Sequence, residues 1–289
     1  MNQPKTLLEV LQSTTAYFTK HKIESPRLNA EHLIAHVLKM SRLELYLEFE
    51  TKLNESELAQ LRELVKRRGQ GEPLQHLLGT VEFCGQTFLC DKRALVPRPE
   101  TEELVEFLIS ETGKSEPDRH LKPERIIDVG TGSGIIALSL AKHFPDAKVF
   151  AVDVSEDALT LARENAARLG LTERIKFSKG DLLDGFGERF DLIVANLPYV
   201  SMQDRQSLAR EVLHDPEVAL FAGAKGDEIV RRLIEQAPSH LNSGGLLALE
   251  IGINQAEGLS DFLRQKNYQD IEAKKDYSGI TRFLLARYG

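Results

Sequence analysis

From residue 125 onward the chain alternates short apolar, β-branched runs with stretches whose apolar residues recur at helical spacing, and this alternation leaves few folds open. The runs at 125–129, 148–152, 175–178, 191–195 and 246–251 read as strands with helices between them. A repeated strand–helix–strand unit returns each strand in the same direction, which predicts a mostly parallel sheet covered by helices on both faces. The last two runs, 269–273 and 281–286, are separated by Gly279 and a few neighbours, too few for a crossover helix. They predict an antiparallel C-terminal edge pair. The expected fold class is therefore α/β, with a seven-stranded, mostly parallel sheet.

The N-terminal part has a different texture. Leu7, Leu8, Leu11 and Phe18 recur at helical spacing, and Ser25-Pro26 opens a second run with Leu33, Ile34, Val37 and Leu38 on one face, Ser as N-cap and Pro as first helical residue. Asn54 is placed to cap a third helix carrying Leu58, Leu61, Leu64 and Val65, with Lys66, Arg67 and Arg68 in its last turn and Gly69 behind. Those cations suit the negative end of the helix dipole; contact with an acidic partner is the alternative. Short β-prone segments at 81–83 and 87–89 around Gly85-Gln86 read as a hairpin. Pro97 to Glu102 then starts a helix buried through Leu104, Val105 and Leu108, and Thr112 to Glu124 follows as a polar loop. The expected division is a helical domain over 1–78, a hairpin linker over 79–98 and the α/β domain over 99–289.

Several function classes lose ground on composition. A formal net charge of −7 argues against a broad phosphate-binding surface, so a protein partner fits better than specific nucleic-acid binding. No apolar run is long enough to cross a bilayer, and the first residues lack a basic flank before an apolar stretch, so the expected location is cytoplasmic, with no membrane partner. Cys84 and Cys90 are too few for a structural zinc site and read as reduced thiols. His32 and His36 lie four apart on a helix without an evident third ligand, so no metal is expected; Glu44, Glu48 and Glu50 read as a solvated face.

After the first strand comes Gly130-Thr131-Gly132-Ser133-Gly134, and a helix follows. The glycines permit a tight turn and close approach of a ligand, with helix N–H groups pointing at it. The dinucleotide fingerprint needs its third glycine where this chain has Ile135, which counts against a nicotinamide or flavin. Asp153 ends the next strand, where its carboxylate can accept both hydroxyl hydrogens of a ribose; capping the following helix is the plainer use of Asp153 or Ser155. Asp181, after the third strand, is placed to accept from an adenine amino group, with Leu182 against the ring. A glycine turn, a ribose acid and an adenine-edge acid at successive strand ends describe a nucleoside site, which S-adenosyl-L-methionine satisfies without a phosphate cradle.

Asn196-Leu197-Pro198-Tyr199 lies at the end of the fourth strand, where parallel sheets carry their chemistry. A carboxamide or arylamine nitrogen is a poor nucleophile because its lone pair is delocalised. The side-chain carbonyl of Asn196 and the backbone carbonyl of Leu197 can accept both N–H bonds of an NH2 group, turn its lone pair toward a methyl donor and stabilise the charge that grows on nitrogen. Asn196 is also expected to contact the cofactor. Pro198 favours an extended Leu197, and Tyr199 can stack on a planar amide. A strand-terminating turn is the alternative use of the same residues.

These residues resemble the class I S-adenosylmethionine-dependent methyltransferases, and within them the release factor glutamine N5-methyltransferases known as the PrmC or HemK family. The resemblance runs through 72–79, 97–102, 128–134, 196–199, 216–226, 244–252 and Asp276-Tyr277-Ser278-Gly279 before Arg282. It implies a Rossmann-like methyltransferase domain with a small N-terminal helical domain. It also implies that residues 130–134, Asp153 and the Asp181-Leu182 region bind the cofactor, and that residues 196–199 hold the glutamine amide of a Gly-Gly-Gln loop in peptide chain release factors. The helical domain would grip the release factor, and Arg98 and Glu100 would lie beside the bound substrate; a plain helix start is the other reading of that pair. The family usually has Pro at position 197, where this chain has Leu. Glutamine methylation of a ribosomal protein and adenine-N6 methylation of nucleic acid use the same logic at nitrogen, and a non-catalytic docking module is the reading of a different class.

Overall fold

A computed structural model describes residues 5–110 and 122–289, and the chain divides into two compact units. One comprises residues 1–80 with 209–214, the other residues 81–208 with 215–289. Apart from Thr80, the hairpin groups with the α/β unit. Most of the polar stretch from Thr112 to Glu124 lies outside the described residues.

In the first unit, α1 (Leu7–Lys20), α2 (Pro26–Leu38), α3 (Arg42–Leu45), α4 (Glu55–Gly69) and α5 (Leu74–Leu78) close on a core of Leu7, Leu11, Phe18, Leu33, Ile34 and Leu61. Capping boxes start two of the longer helices. Thr6 Oγ1 accepts from Glu9 N at 3.3 Å while Glu9 accepts from Thr6 N at 2.8 Å, and Asn54 exchanges the same bonds with Glu57. Ser25 departs from expectation: it occupies the N-cap position of α2 in a left-handed conformation, φ 46°, and its hydroxyl caps nothing. Asn29 instead ties down the turn before the helix, donating through Nδ2 to the carbonyls of Glu24 and Ser25.

The cations at the end of α4 do more than complement a dipole. Arg67 forms a two-pronged pair with Glu72, at 2.7 and 2.5 Å. Arg68 is buried and donates to Asn29 Oδ1 at 2.7 Å, the Glu72 carbonyl at 3.0 Å and Glu211 at 2.7 Å, which ties residues 209–214 to α2 and α4.

In the second unit, β1 (Thr80–Phe83) and β2 (Gln86–Leu89) form the hairpin, and α6 (Pro99–Ser110) precedes the main sheet. The sheet is built from β3 (Arg125–Val129), β4 (Lys148–Asp153), β5 (Ile175–Lys179), β6 (Phe190–Asn196), β7 (Leu241–Glu250), β8 (Tyr268–Lys275) and β9 (Thr281–Tyr288). Its order is β5-β4-β3-β6-β7-β9-β8; the first five are parallel, and β9 runs antiparallel between β7 and β8. The expected antiparallel pair is present, with β8 alone at the edge. Strand β7 begins five residues before its predicted start, because Leu241 pairs with Phe190 ahead of a register shift near the left-handed Gly244.

Successive strand residues face opposite layers. Ile126, Leu192, Val194, Leu246 and Phe283 pack toward α6, α7 (Ile135–His143) and α8 (Glu156–Arg168). Ile127, Ile193, Leu247 and Leu284 pack toward α10 (Glu228–His240) and α11 (Ala256–Gln265), with the one-turn α9 (Glu217–Leu220) preceding them. This two-sided burial explains the near-continuous apolar runs in the sequence. No helix among the described residues is long and apolar enough to cross a membrane.

Replacing Arg68 by Ala strands the side-chain carbonyl of Asn29 in the core and removes the cation beside Glu211. The expected cost is about 2 kcal/mol, read as a lower urea midpoint with unchanged slope for the helical unit. A loss below about 0.5 kcal/mol would show that the cluster adds little.

Candidate active site

The sheet reverses its strand order between β3 and β6, and the loops leaving their C-terminal ends open into one cleft. The cleft is lined by residues 130–133, Asp153, Asp181 and Leu182 on one side and by Asn196, Leu197 and Pro198 on the other. Distant parts of the sequence therefore meet at one cleft. Gly134, Tyr199, Arg98 and Glu100 do not line it, although Pro97 and Thr101, which flank Arg98 and Glu100, do.

The glycine turn is held from below and from the side. Gly130, Gly132 and Gly134 all have left-handed φ, at 73°, 55° and 80°. At Gly130 a Cβ would lie 2.8 Å from Leu197 Cδ2, so the turn is kept bare by the loop that follows β6. A Cβ at Gly132 would meet only Ala94, at 3.8 Å, and would occupy the cradle. Beneath the turn, Asp128 is fully buried and accepts from Thr131 Oγ1 at 2.6 Å and Ala137 N at 3.1 Å. Its other oxygen has no hydrogen-bond partner, and burial pushes its pKa up to about 7. From the side, Asn165 of α8 accepts from Leu89 N at 2.6 Å and donates to Ser133 O at 3.0 Å. The sequence offered no local signal for Asn165, a polar residue within a helical stretch.

Asp153 spans the turn and the next helix. Its Oδ2 accepts from Gly132 N at 2.8 Å and its Oδ1 from Ser155 N at 2.9 Å, while Ser155 itself caps α8 by accepting from Ala158 N. Each carboxylate oxygen keeps a second lone pair, so the geometry still suits a diol. Burial raises the Asp153 pKa, opposed by those backbone N–H groups. Asp181 is half-exposed and accepts from Arg232 at 2.7 Å, so an incoming amino group would share it with that cation. Leu182 is buried with φ 55°.

On the opposite wall, Asn196 Nδ2 donates to Thr101 Oγ1 at 2.9 Å, and Thr101 donates to Glu250 Oε2 at 2.6 Å. Both supporting residues were missed as site residues, although each lies in a segment that carried the resemblance. The Leu197 side chain is buried against the glycine turn. Burial pushes the Tyr199 hydroxyl up to about 12, and the Tyr199 carbonyl accepts from Gln255 at 3.2 Å. Arg98 is committed to the buried Asp215 at 2.7 Å, and Val96 N donates to the same carboxylate at 3.1 Å, which fastens the loop before α6 to the one before α9. Cys84 and Cys90 are free thiols whose pKa values burial raises to about 11 and about 12.

Residues 9–79 match the family described as PrmC N-terminal domain, and residues 120–261 match the family described as methyltransferase domain. The chain is 40% identical over 285 residues to a release factor glutamine methyltransferase of Chlorobaculum tepidum, covering 96% of each. It is 40% identical over 281 residues to one from Deinococcus radiodurans, covering 97% of this chain and 98% of that one. Among solved structures it is similar to a ribosomal protein L11 methylase from Lactobacillus delbrueckii subsp. bulgaricus, at 28% identity and a TM-score of 0.50 over 69% of this chain and 84% of that one.

Gly130→Ala should cost about 2 kcal/mol, through the left-handed backbone and the displaced Leu197, and lower the thermal midpoint accordingly. For Asp128, between about pH 4 and about pH 7 the unfolded carboxyl is ionised while the folded one keeps its proton. The folded state then binds more protons, so stability falls as pH rises through that window and is flat above it. Asp128→Asn should shrink this fall in urea titrations without abolishing it, since Glu250 shifts in the same direction; an undiminished fall would mean that Asp128 is ionised in the fold.

Proposed function

The chain belongs to the release factor glutamine methyltransferase family, and on that premise we propose that it transfers a methyl group from S-adenosylmethionine to the side-chain amide nitrogen (N5) of the glutamine in the Gly-Gly-Gln motif of peptide chain release factors. The fold is that of a class I methyltransferase. What carries the reading is the single cleft lined both by the glycine turn and by Asn196 and Leu197.

The residues fit the cofactor. The bare backbone at Gly132 leaves room in the cradle, Asp153 retains acceptor capacity for a ribose, and Leu182 supplies an apolar wall. S-adenosylmethionine contributes an electrophilic methyl group on a sulfonium. Asn196 and the Leu197 carbonyl hold the two N–H bonds of the glutamine amide, orient its lone pair and stabilise positive charge on nitrogen during attack. No strong base is needed beforehand, because the methylated nitrogen loses its extra proton readily. Leu197 provides the backbone acceptor as Pro would. Tyr199, Arg98 and Glu100 belong to the rim that receives the loop, and the N-terminal helical unit binds the body of the release factor. Such a reaction places the protein in the cytoplasm with its substrate.

The test is incubation with S-adenosylmethionine and unmethylated release factor, with a ribosomal protein and DNA in parallel, and mapping of any methyl group by mass spectrometry. One mark on the Gly-Gly-Gln glutamine is expected. Asn196→Ala should lower turnover by about 100-fold or more while cofactor affinity stays nearly unchanged. A mark confined to the ribosomal protein or DNA would overturn the substrate assignment. Unchanged turnover in the variant would overturn the role of Asn196.

A further inference from the structure

Hydrogen counting across the far wall of the cleft determines which end of the Asn196 amide faces the substrate. Thr101 has one hydroxyl hydrogen and gives it to Glu250 Oε2 at 2.6 Å. It can then only accept from Asn196, which must present its NH2 group, at 2.9 Å. The amide oxygen is left pointing away from Thr101. The whole chain of donors is anchored by a carboxylate that is 2% exposed, at the end of the strand paired with β6, where Asn196 lies opposite Glu250.

We propose that Thr101 and Glu250 are positioning residues that lock the Asn196 side chain with its carbonyl oxygen toward the substrate amide. This rests on the reading of Asn196 as the acceptor for the glutamine NH2. Without the lock, an asparagine amide turns over at little cost and offers two donors to a substrate group that also has only donors, which repels it. An ionised Glu250 enforces the working orientation because it can only accept. A protonated Glu250 can donate to Thr101, releasing the Thr101 hydrogen toward Asn196 and permitting the reversed amide.

The arrangement therefore couples turnover to the ionisation of Glu250. Burial pushes that group up to about 7; Glu100 of α6 adds to the rise, while the bonds from Thr101 and Asn196 and the charge of Arg282 on β9 oppose it. Tyr199, from the loop after β6, also faces it and stays neutral throughout this range. Turnover should rise with pH as Glu250 loses its proton.

The experiment compares wild type with Thr101→Val, Thr101→Ser and Glu250→Gln, using unmethylated release factor and S-adenosylmethionine. Thr101→Val should lower kcat by about 10- to 100-fold while KM for the release factor changes less than about threefold, and Thr101→Ser should recover most of the loss. Glu250→Gln, which can donate or accept, should lower kcat and remove the acid limb from the pH profile of kcat. A second readout is independent of turnover: the side-chain amide resonances of 15N-labelled Asn196 should shift as wild type is titrated toward neutral pH, and should not in Glu250→Gln. Unchanged kcat in Thr101→Val, equal losses in the Val and Ser variants, or an acid limb or amide shift that survives Glu250→Gln would each overturn the proposal. If wild type leaves the release factor unmethylated, the substrate assignment falls, while the amide titration still decides the orientation.

Discussion

The direct pairing of β3 with β6 is the constraint on which the site depends. These strands are distant in the sequence, yet Val129 lies opposite Ala195, so the chain leaves the sheet at Gly130 beside Asn196, the last residue of β6. Register in a sheet buried on both faces is strongly enforced, since a slip by one residue would turn each apolar side chain toward the wrong layer. The same burial that stabilises the domain therefore sets the separation between the glycine turn after β3 and the loop after β6. Little else is required of the loops than to keep their backbone where the strands release it.

That close approach explains the local chemistry. Leu197 occupies the space a side chain at position 130 would need, which couples the two loops sterically. Below them, a carboxylate without exposure joins Thr131 to the first turn of α7. An orphaned oxygen in such a place is costly unless it carries a proton, and the raised pKa of Asp128 reflects that cost. The chain thus tolerates one unsatisfied polar atom directly under its most constrained turn, a common trade at functional sites.

Much of this was legible because it is local. The strand–helix alternation, the antiparallel pair near the C-terminus, the glycine turn and the cap at Asn54 are written in short windows. What escaped depends on partners far away in the chain. Thr101 and Glu250 are separated by 149 positions, and nothing near either one announces the bond between them. Arg68 read as a dipole partner because its contacts with Asn29 and Glu211 arise only on folding. Asp181 showed no sign of the Arg232 pair for the same reason. The early start of β7 was hidden by Asn242, Ser243 and two glycines, turn-forming residues that the sheet absorbs as an irregularity.

Residues 209–214 group with the first eighty residues although the rest of their neighbourhood in the chain groups with the sheet. The two units are consequently interleaved rather than strung end to end. No single cut separates them cleanly: a fragment beginning after residue 80 would carry a hexapeptide whose folding partners had been removed, and a fragment ending there would lack one of its own pieces. Recombination that exchanges whole modules is obstructed by such a thread. Variation in the N-terminal unit and in this distant hexapeptide is bound to proceed together, so a change in the packing of one leaves its trace in the other.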